Sequence, residues 1–486
     1  MKTYNKAKRI KISLLFLFSA FVFLLLFSWS TSPLFDYKAC DSSIFQAIGK
    51  FSNKGLDFYK DLFDHKGPIM FLVDKIGYLI VDSKIGVFIV QIVFWFFTLC
   101  GTYKIVREFF KDKASVILAE CSLLLYALYY SGVAGNSSEE YILPFLVWSI
   151  YFAICYIKRV NQDKQYDHNP KYAFFYGLSF AIGAFSRLTN ALPICISILV
   201  ILCILIYKKR WKNILQNAAG LILGVLVITI PIALWFAING TFYEMIDATF
   251  IANIKYSQVH RYHYTFLDLA KFFARYRLII IVSLLLGAIG LKNKKTRLLS
   301  ILVVAHMVGS IVIDLTTPMF SYYAMIWTPT IVLTLCLAYK YEWLKWISRM
   351  IVYCSLAFIL VNGVTNLYDC YLAKQDTRLQ ELRKDVLDIK REIPKKDYDK
   401  VVAYNTFANV YLELNIAPCY RNFVFQDFHS SFNEKTKAQI EKDLRSLKAK
   451  YIIEDNDNKK SVWDNYINNH YYDVKKNKLY TLKKIK

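Results

Sequence analysis

The chain has 486 residues, of which 56% are hydrophobic and 17% aromatic, and its formal net charge is +24. A soluble domain of this length would be less apolar and less aromatic, so the composition indicates a membrane protein. The positive charges form short clusters between long apolar runs and no basic face is interleaved with base-stacking aromatics, which argues against nucleic-acid binding.

Apolar runs long enough to cross a bilayer recur through the first three quarters of the chain. A transmembrane helix needs about 20 predominantly apolar residues, and on this basis the sequence predicts about eleven spans. The expected fold class is therefore mainly α, a polytopic helical bundle in a membrane. The predicted spans are 12–31, 84–106, 114–131, 141–157, 173–187, 190–207, 214–238, 278–291, 298–315, 321–340 and 350–367.

Short clusters of lysine and arginine set the expected orientation of this bundle. All of them fall on one side of the eleven-span arrangement, and the positive-inside rule makes that side cytoplasmic. We therefore expect a multi-pass protein of the plasma membrane with its N-terminus inside and its C-terminus outside. The clusters lie at 2–11, 107–113, 158–171, 208–212, 292–297 and 340–349.

The long hydrophobic blocks stop at Tyr368, and the residues that follow predict a small separate domain. Short apolar runs alternate there with helical patterns, which is typical of an α/β fold. We expect a transmembrane unit at 1–367 and an exterior α/β domain at 368–486. Its predicted elements are helices at 374–393, 406–414 and around Ile440, Leu444 and Leu447, strands at 401–404, 423–425 and 451–453, and a terminal hairpin at 474–482.

Two further segments, 56–81 and 265–277, mix apolar and charged residues. Both predict helices that lie in the plane of the membrane interface, where they could shape a groove for a lipid head group and an aqueous substrate. For each segment, a connector without a function is an equally good alternative.

The first exterior loop carries carboxylates close to the membrane, and such groups are costly there and usually functional. Asp41 follows the first span by about ten residues. It could act as a general base that takes a proton from an acceptor hydroxyl. The alternative is a solvated aspartate that caps a helix beginning near Ser42.

The run Asp64-His65-Lys66-Gly67-Pro68 is denser in functional groups. His65 and Lys66 could bind a phosphate through charge-assisted hydrogen bonds. Asp64 could accept a hydrogen bond from a sugar hydroxyl or hold a divalent metal, the only candidate cofactor. The alternative is a charge cluster with an internal salt bridge, and Gly-Pro is expected to start the next helix.

Two other loops that are predicted on the outer face of the membrane carry opposite charges. Glu139 and Glu140 enter the fourth span, where the helix dipole explains one acid better than two. Arg187 lies between two apolar runs with Asn190 close behind it, so it needs a partner such as a lipid phosphate or one of these acids.

A cationic cluster and a pair of tyrosines complete the polar residues expected outside. The cluster contains His260 and Arg261, and Tyr322 and Tyr323 open the tenth span. Tyrosines at that depth are more often interface-belt residues than ligands. Together, however, the acids, cations and tyrosines occupy one membrane face, which predicts a site at the outer interface for a lipid-carried substrate.

This set of residues resembles the GT-C superfamily of integral-membrane glycosyltransferases, and in particular the bacterial branch related to protein O-mannosyltransferases and lipid A aminoarabinose transferases. The resemblance covers roughly residues 10–367, and the run from Phe63 to Pro68 is its most specific part. The matching residues are Asp41-Ser42-Ser43, Tyr59, Asp61, Phe63-Asp64-His65-Lys66-Gly67-Pro68, Glu139-Glu140-Tyr141, Pro144, Arg187-Leu188-Thr189-Asn190, Tyr322-Tyr323 and Pro329.

The resemblance implies a transferase that uses a polyprenyl-phosphate sugar as donor and a glycan, lipid or protein of the cell envelope as acceptor. It implies that Asp41 is the catalytic base, that the anomeric carbon is inverted and that polyprenyl phosphate is released. Many relatives carry an acid directly after the catalytic aspartate, whereas this chain has Ser42. The division of roles between Asp41 and Asp64 therefore stays open.

Two other classes of membrane protein stay open. A polysaccharide polymerase or ligase would also have many spans and exterior cations, but it would more often place its key arginines in one large loop. A transporter of lipid-linked glycans would show pseudo-repeats and broken helices near the midplane. A single outward-opening cavity that gathers the acids would favour the transferase.

Overall fold

The computed structural model describes residues 2–130, 134–259, 265–340, 364–372, 374–431, 434–457 and 461–486, together with the single positions 353, 357, 360 and 361. The first part of the chain is helical. Its helices are α1 Lys2–Phe27, α2 Asp41–Ser52, α3 Pro68–Ile80, α4 Lys84–Arg107, α5 Asp112–Tyr130, α6 Ser138–Gln162, α7 Pro170–Ser186, α8 Leu192–Tyr207, α9 Trp211–Ile238, α10 Phe242–Ile246, α11 Ala252–Val259, α12 Phe266–Phe272, α13 Leu278–Gly290, α14 Arg297–Thr316 and α15 Thr328–Lys340.

Eight helical stretches among the described residues are long and apolar enough to cross a membrane. They coincide with eight predicted spans, while α7 and the shorter α13 coincide with two more. The predicted span at 350–367 lies largely outside the described residues. The chain is therefore a multi-pass membrane protein with a mainly helical fold, as predicted. The eight stretches are Lys6–Phe27, Lys84–Arg107, Lys113–Tyr130, Ser138–Gln162, Leu188–Tyr207, Trp211–Ile238, Arg297–Thr316 and Ser321–Tyr339.

Local sequence explains where several helices begin and how closely two of them pack. Ser83 and Asn169 cap α4 and α7 by accepting hydrogen bonds from backbone N–H groups in the first turn. Gly177 and Gly224 let α7 and α9 touch, because a Cβ at either position would lie 2.0 Å from a carbonyl oxygen of the other helix. Small residues at such crossings are typical of membrane proteins.

The segment 56–81 is not one interfacial helix as predicted. It runs irregularly to Gly67, with a bridge between Phe58 and Leu62, and becomes helical only at Pro68. Proline suits the first position of a helix because its missing N–H would have no partner there. The second segment, 265–277, is helical as predicted: α12 continues into a π-helical turn, Phe273–Arg277.

The C-terminal residues form a four-stranded sheet in the order β1-β2-β4-β3. Strand β1 (Val401–Tyr404) is parallel to β2 (Tyr451–Asp455), while β4 (Tyr480–Ile485) is antiparallel to both β2 and β3 (Tyr471–Lys476). The predicted hairpin is thus present. The helices of this part are Thr377–Glu392, Asn409–Leu414, Gln426–Ser430, Glu434–Arg445 and Asp464–His470.

The predicted strand at 423–425 is wrong. Phe423 and Val424 are buried, but the carbonyl of Phe423 accepts a hydrogen bond from the Tyr411 hydroxyl, and Phe425 has a left-handed φ of 47° before the next helix. A short apolar run signals burial without specifying the backbone. One apolar core joins this sheet to α2 and α3, through residues such as Phe45, Phe71 and Val401.

Candidate functional site

A cavity of about 580 Å³ lies where the membrane helices meet the C-terminal residues. Six separate stretches of the described chain line it: the residues before and at the start of α2, the turn before α3, Ala134, the residues before α15, Phe407, and the segment 425–429. Six predicted site residues share this cavity. They are Asp41, Asp64, His65, Lys66, Tyr322 and Tyr323, and Lys38 and His429 add two polar groups.

Asp41 is the first residue of α2, but the helix is not capped by its side chain. Cys40 occupies the cap position and makes no side-chain capping bond. Within the described chain the Asp41 carboxylate accepts no hydrogen bond from protein, and it is exposed into the cavity while protein surrounds it closely. Burial raises the pKa of Asp41, Asp64 and Glu139 raise it further, and Lys66 opposes the rise. A raised pKa makes a carboxylate a stronger base.

The turn Asp64–Lys66 is held rigidly. Asp64 Oδ1 accepts from the Lys66 backbone N–H at 2.9 Å, and the Tyr59 hydroxyl donates to the Lys66 carbonyl at 2.8 Å. Lys66 Nζ lies 3.0 Å from His65 Nε2. Gly67 is required where the turn meets α7, because a Cβ there would lie 1.9 Å from the Phe185 carbonyl oxygen.

His429 approaches this turn from the C-terminal part of the chain. One ligand atom each from Asp64, His65 and His429 lies within 4.8 Å of the others. Burial lowers the pKa of His65 well below its ordinary value and that of His429 to about 3, so both imidazoles are neutral. One carboxylate with two neutral imidazoles is a donor set suited to a divalent transition metal.

The two glutamates at the start of α6 have different environments. Glu139 pairs with Arg187 at 2.6 Å, and the guanidinium of Arg187 lies 3.4 Å from the centre of the Tyr323 ring. Glu140 is fully buried and accepts hydrogen bonds from Gln91 and other groups inside the bundle. Neither the two glutamates nor Arg187 line the cavity, but Arg187 contacts Tyr323, which does.

Comparison with known proteins identifies the family. Residues 2–351 match the family described as the putative competence-induced protein Ccs4 N-terminal domain. The chain belongs to this family. No curated protein gives a match.

Solved structures identify the fold of this Ccs4 family member. ArnT from Cupriavidus metallidurans in the apo state superposes with a TM-score of 0.60 at 10% identity, over 99% of this chain and 98% of that chain. The same protein bound to undecaprenyl phosphate gives 0.58 at 10% identity, over 98% of each chain. Archaeoglobus fulgidus AglB gives 0.48 at 12% identity, over 93% of this chain and 70% of that chain. The likeness to ArnT shows the GT-C fold, as the sequence predicted.

Asn190, another predicted site residue, does not line the cavity. It is buried in the short helical turn Leu188–Ala191. His260 and Arg261 lie outside the described residues.

Sequence reasoning missed a buried ion pair beside the cavity. Arg277 binds Asp314 through two hydrogen bonds of 2.6 and 2.8 Å, and its Nη2 and Nη1 also donate to the carbonyls of Phe320 and Ser321. These carbonyls directly precede Tyr322 in the cavity wall. An aspartate inside the ninth predicted span was the available signal, because such acids need a partner. His429 gave no comparable signal, since it is distant in sequence from the turn that it meets.

The contacts of Arg187 lead to a test of its role. Arg187→Lys keeps the charge but loses the planar stacking on Tyr323, so we expect a loss of about 1–2 kcal/mol in stability. Thermal unfolding in detergent checks this. The control Arg391→Lys changes an exposed ion pair with Asp388 and should leave the transition in place. A variant of normal stability that handled donor poorly would instead place Arg187 on the donor phosphate.

Proposed function

We propose that this protein is a glycosyltransferase that moves a sugar from a polyprenyl-phosphate donor to a cell-envelope acceptor, with inversion at the anomeric carbon. The observation that carries the proposal is the cavity itself. It combines a carboxylate that no described residue binds, Asp41, with the cations Lys38 and Lys66 and the tyrosines at 322–323. Such a set suits a reaction that needs a base on one side and anion stabilisation on the other.

Asp41 takes the proton from the acceptor hydroxyl while that oxygen forms a bond to the anomeric carbon. The bond from this carbon to the phosphate oxygen breaks, and its electron pair leaves with polyprenyl phosphate. Lys66 and Lys38 stabilise the charge that develops on the phosphate. Attack from the face opposite the leaving group inverts the anomeric carbon.

The turn at Asp64 has a supporting role in this scheme. Asp64, His65 and His429 would hold a divalent metal where one binds, and the ion would add positive charge near the donor phosphate. In either case Asp64 fixes the backbone of Lys66 through its 2.9 Å hydrogen bond. We therefore assign the base to Asp41 and a positioning role to Asp64.

We propose that the cavity opens on the outer face of the plasma membrane. The lysine and arginine clusters support this orientation, because positive charge is retained on the cytoplasmic side. Residues 368–486 then form an exterior domain that covers the cavity from above and contributes His429. The structure of ArnT bound to undecaprenyl phosphate lends support, since that protein shares the fold.

The gathering of Asp41 and Asp64 in one cavity also favours a transferase over a transporter, which needs a path between the two faces. A polysaccharide polymerase or ligase remains the second candidate function, because it too would act on lipid-linked glycans. The acceptor separates the two: a polymerase would transfer a whole chain and this enzyme a single sugar.

The experiment has two parts. Purified protein is incubated with a set of undecaprenyl-phosphate sugars and envelope extract, and protein-dependent release of undecaprenyl phosphate is measured. Envelope glycans of cells with and without the protein are then compared by composition. We expect one donor to be consumed and one sugar to be missing from the deletion strain. No donor consumption together with unchanged envelope glycans would overturn the proposal.

A further inference from the structure

A second cavity, of about 450 Å³, lies beside the candidate site. The irregular segment before α3, the helix α10 with the π-helical turn Asp247–Ile251, and the C-terminal residues 418–448 enclose it. Tyr243 and Tyr420 are among the residues that line it. Nothing in the proposed chemistry uses this cavity.

The charges that line this second cavity are balanced in number, with four acidic and four basic side chains. In the part of the chain that the structure describes, no ion pair joins any two of them, although Lys60 pairs with Asp57 outside the lining. Charged side chains that converge on a concave surface without pairing are available to a ligand. The eight are Asp61, Glu244, Asp247 and Asp443, and Lys60, Arg421, Lys435 and Lys448.

Asp443 gives the clearest sign of an unmet interaction. Its Oδ1 accepts from Gln439 Nε2 at 2.8 Å, whereas its Oδ2 is buried and has no hydrogen-bond partner among the described residues. A buried acceptor without a donor is unfavourable, so a rotation of the Asp443 side chain that turned this oxygen towards a donor on a bound ligand would gain affinity. Arg421 has its Nε committed to the Tyr59 carbonyl at 2.6 Å, and its other N–H groups remain near Asp247, Glu244 and Asp443.

The second cavity is joined to the candidate site by two chain segments that run side by side. The Phe63 backbone N–H donates to the Arg421 carbonyl at 3.0 Å, and the guanidinium of Arg421 lies 4.7 Å from the Phe63 ring centre. One segment continues from Asp61 to Asp64 and the other from Arg421 to Phe425. Both therefore line the second cavity at one end and the candidate site at the other.

We propose that the second cavity binds a zwitterionic sugar, a ring that carries one ammonium and one acidic group, as part of the acceptor glycan. A purely anionic or cationic ligand would meet four groups of its own sign, and a neutral ligand would leave the charges unmet. The exposed ring of Tyr243 suits the apolar face of a sugar, and the carboxylates and the amide of Gln439 suit its hydroxyls. The assignment to an acceptor rests on the proposed glycosyltransferase function, whereas the binding itself does not.

Binding is tested on the full-length protein in detergent with glucosamine 6-phosphate as the probe, by saturation-transfer NMR titration. Glucosamine, glucose 6-phosphate and glucose carry charge of only one sign or none, and they are the comparators. We expect the zwitterion to bind at least about tenfold more tightly than each of them, because a charge-assisted contact contributes about 1.4 kcal/mol or more. Similar affinity for all four sugars, or no binding of the probe, would overturn the proposal.

Variants locate the binding. The double variant Glu244→Gln with Asp247→Asn removes two charges from the cavity, and Lys448→Gln removes one. Each should weaken binding of the probe at least about fivefold. Glu441→Gln, on the same helix as Asp443 but outside the lining, is the matched control and should bind normally. If both cavity variants bind the probe normally and Lys66→Gln loses binding, the probe lies in the candidate site. That result would overturn the assignment of the probe to the second cavity.

The outcome is independent of the proposed function. Probe binding needs no donor, so a protein that binds glucosamine 6-phosphate in this cavity but consumes no undecaprenyl-phosphate sugar would keep the site and reject the transferase. A protein that consumes donor but fails to bind the probe would keep the transferase and reject the site.

Discussion

Asp41→Asn is expected to reduce sugar transfer by at least ~10²-fold while the protein stays folded. The amide keeps the size and shape of the side chain but cannot accept the acceptor proton, and general-base catalysis typically contributes ~10²–10⁴-fold. No described residue hydrogen-bonds the carboxylate, so the substitution breaks no hydrogen bond within the described part of the chain. Transfer by purified protein, at donor concentrations above half-saturation, measures the effect.

The pH profile gives the same prediction a second readout. Burial raises the pKa of Asp41, and the group must be ionised to act as a base, so wild-type transfer should fall on acidification at a pH above the ordinary range of an aspartate. Asp36→Asn is the control: Asp36 lies in the same loop and forms a half-exposed ion pair with Arg383. Near-normal transfer by Asp41→Asn would move the base to Asp64.

Asp314→Asn is expected to destabilise the protein by about 3–5 kcal/mol, because it leaves a buried guanidinium without its counter-charge. The Arg277 side chain is 0% exposed and that of Asp314 is 4% exposed. The variant should unfold at a much lower temperature in detergent. Its surviving fraction should transfer poorly as well, since Arg277 also holds the carbonyls before Tyr322.

Two further variants sharpen this stability test. Arg277→Met combined with Asp314→Leu removes both charges and should recover most of the lost stability, since replacing a buried pair by apolar groups is often neutral. Asp167→Asn breaks the equally bidentate pair with Arg210, which is about half exposed, and should change little. A wild-type melting temperature for Asp314→Asn would show that the pair does not stabilise the bundle.

Much of the candidate site could be predicted from the sequence, because the predicted membrane topology determines which polar residues share a face of the membrane. The apolar runs predicted where the helices lie. The charges between these runs predicted that Asp41, the turn at Asp64 and Tyr322 share one face of the membrane. The structure brings these residues into one cavity. The start of α3 at Gly67-Pro68 was also predictable, since the signal is local to the two residues.

Only the tertiary structure shows which charged side chains face the cavity and which form ion pairs or hydrogen bonds with other residues. Glu139 and Glu140 look equivalent in sequence, yet one pairs with Arg187 and the other is enclosed by hydrogen-bond donors inside the bundle. His429 reaches Asp64 only because the C-terminal sheet packs on α2 and α3 through a shared apolar core. Hydrophobic periodicity indicates which face of each segment is buried. It carries no information on which distant segment supplies the partner, and that choice is made by packing across the whole chain.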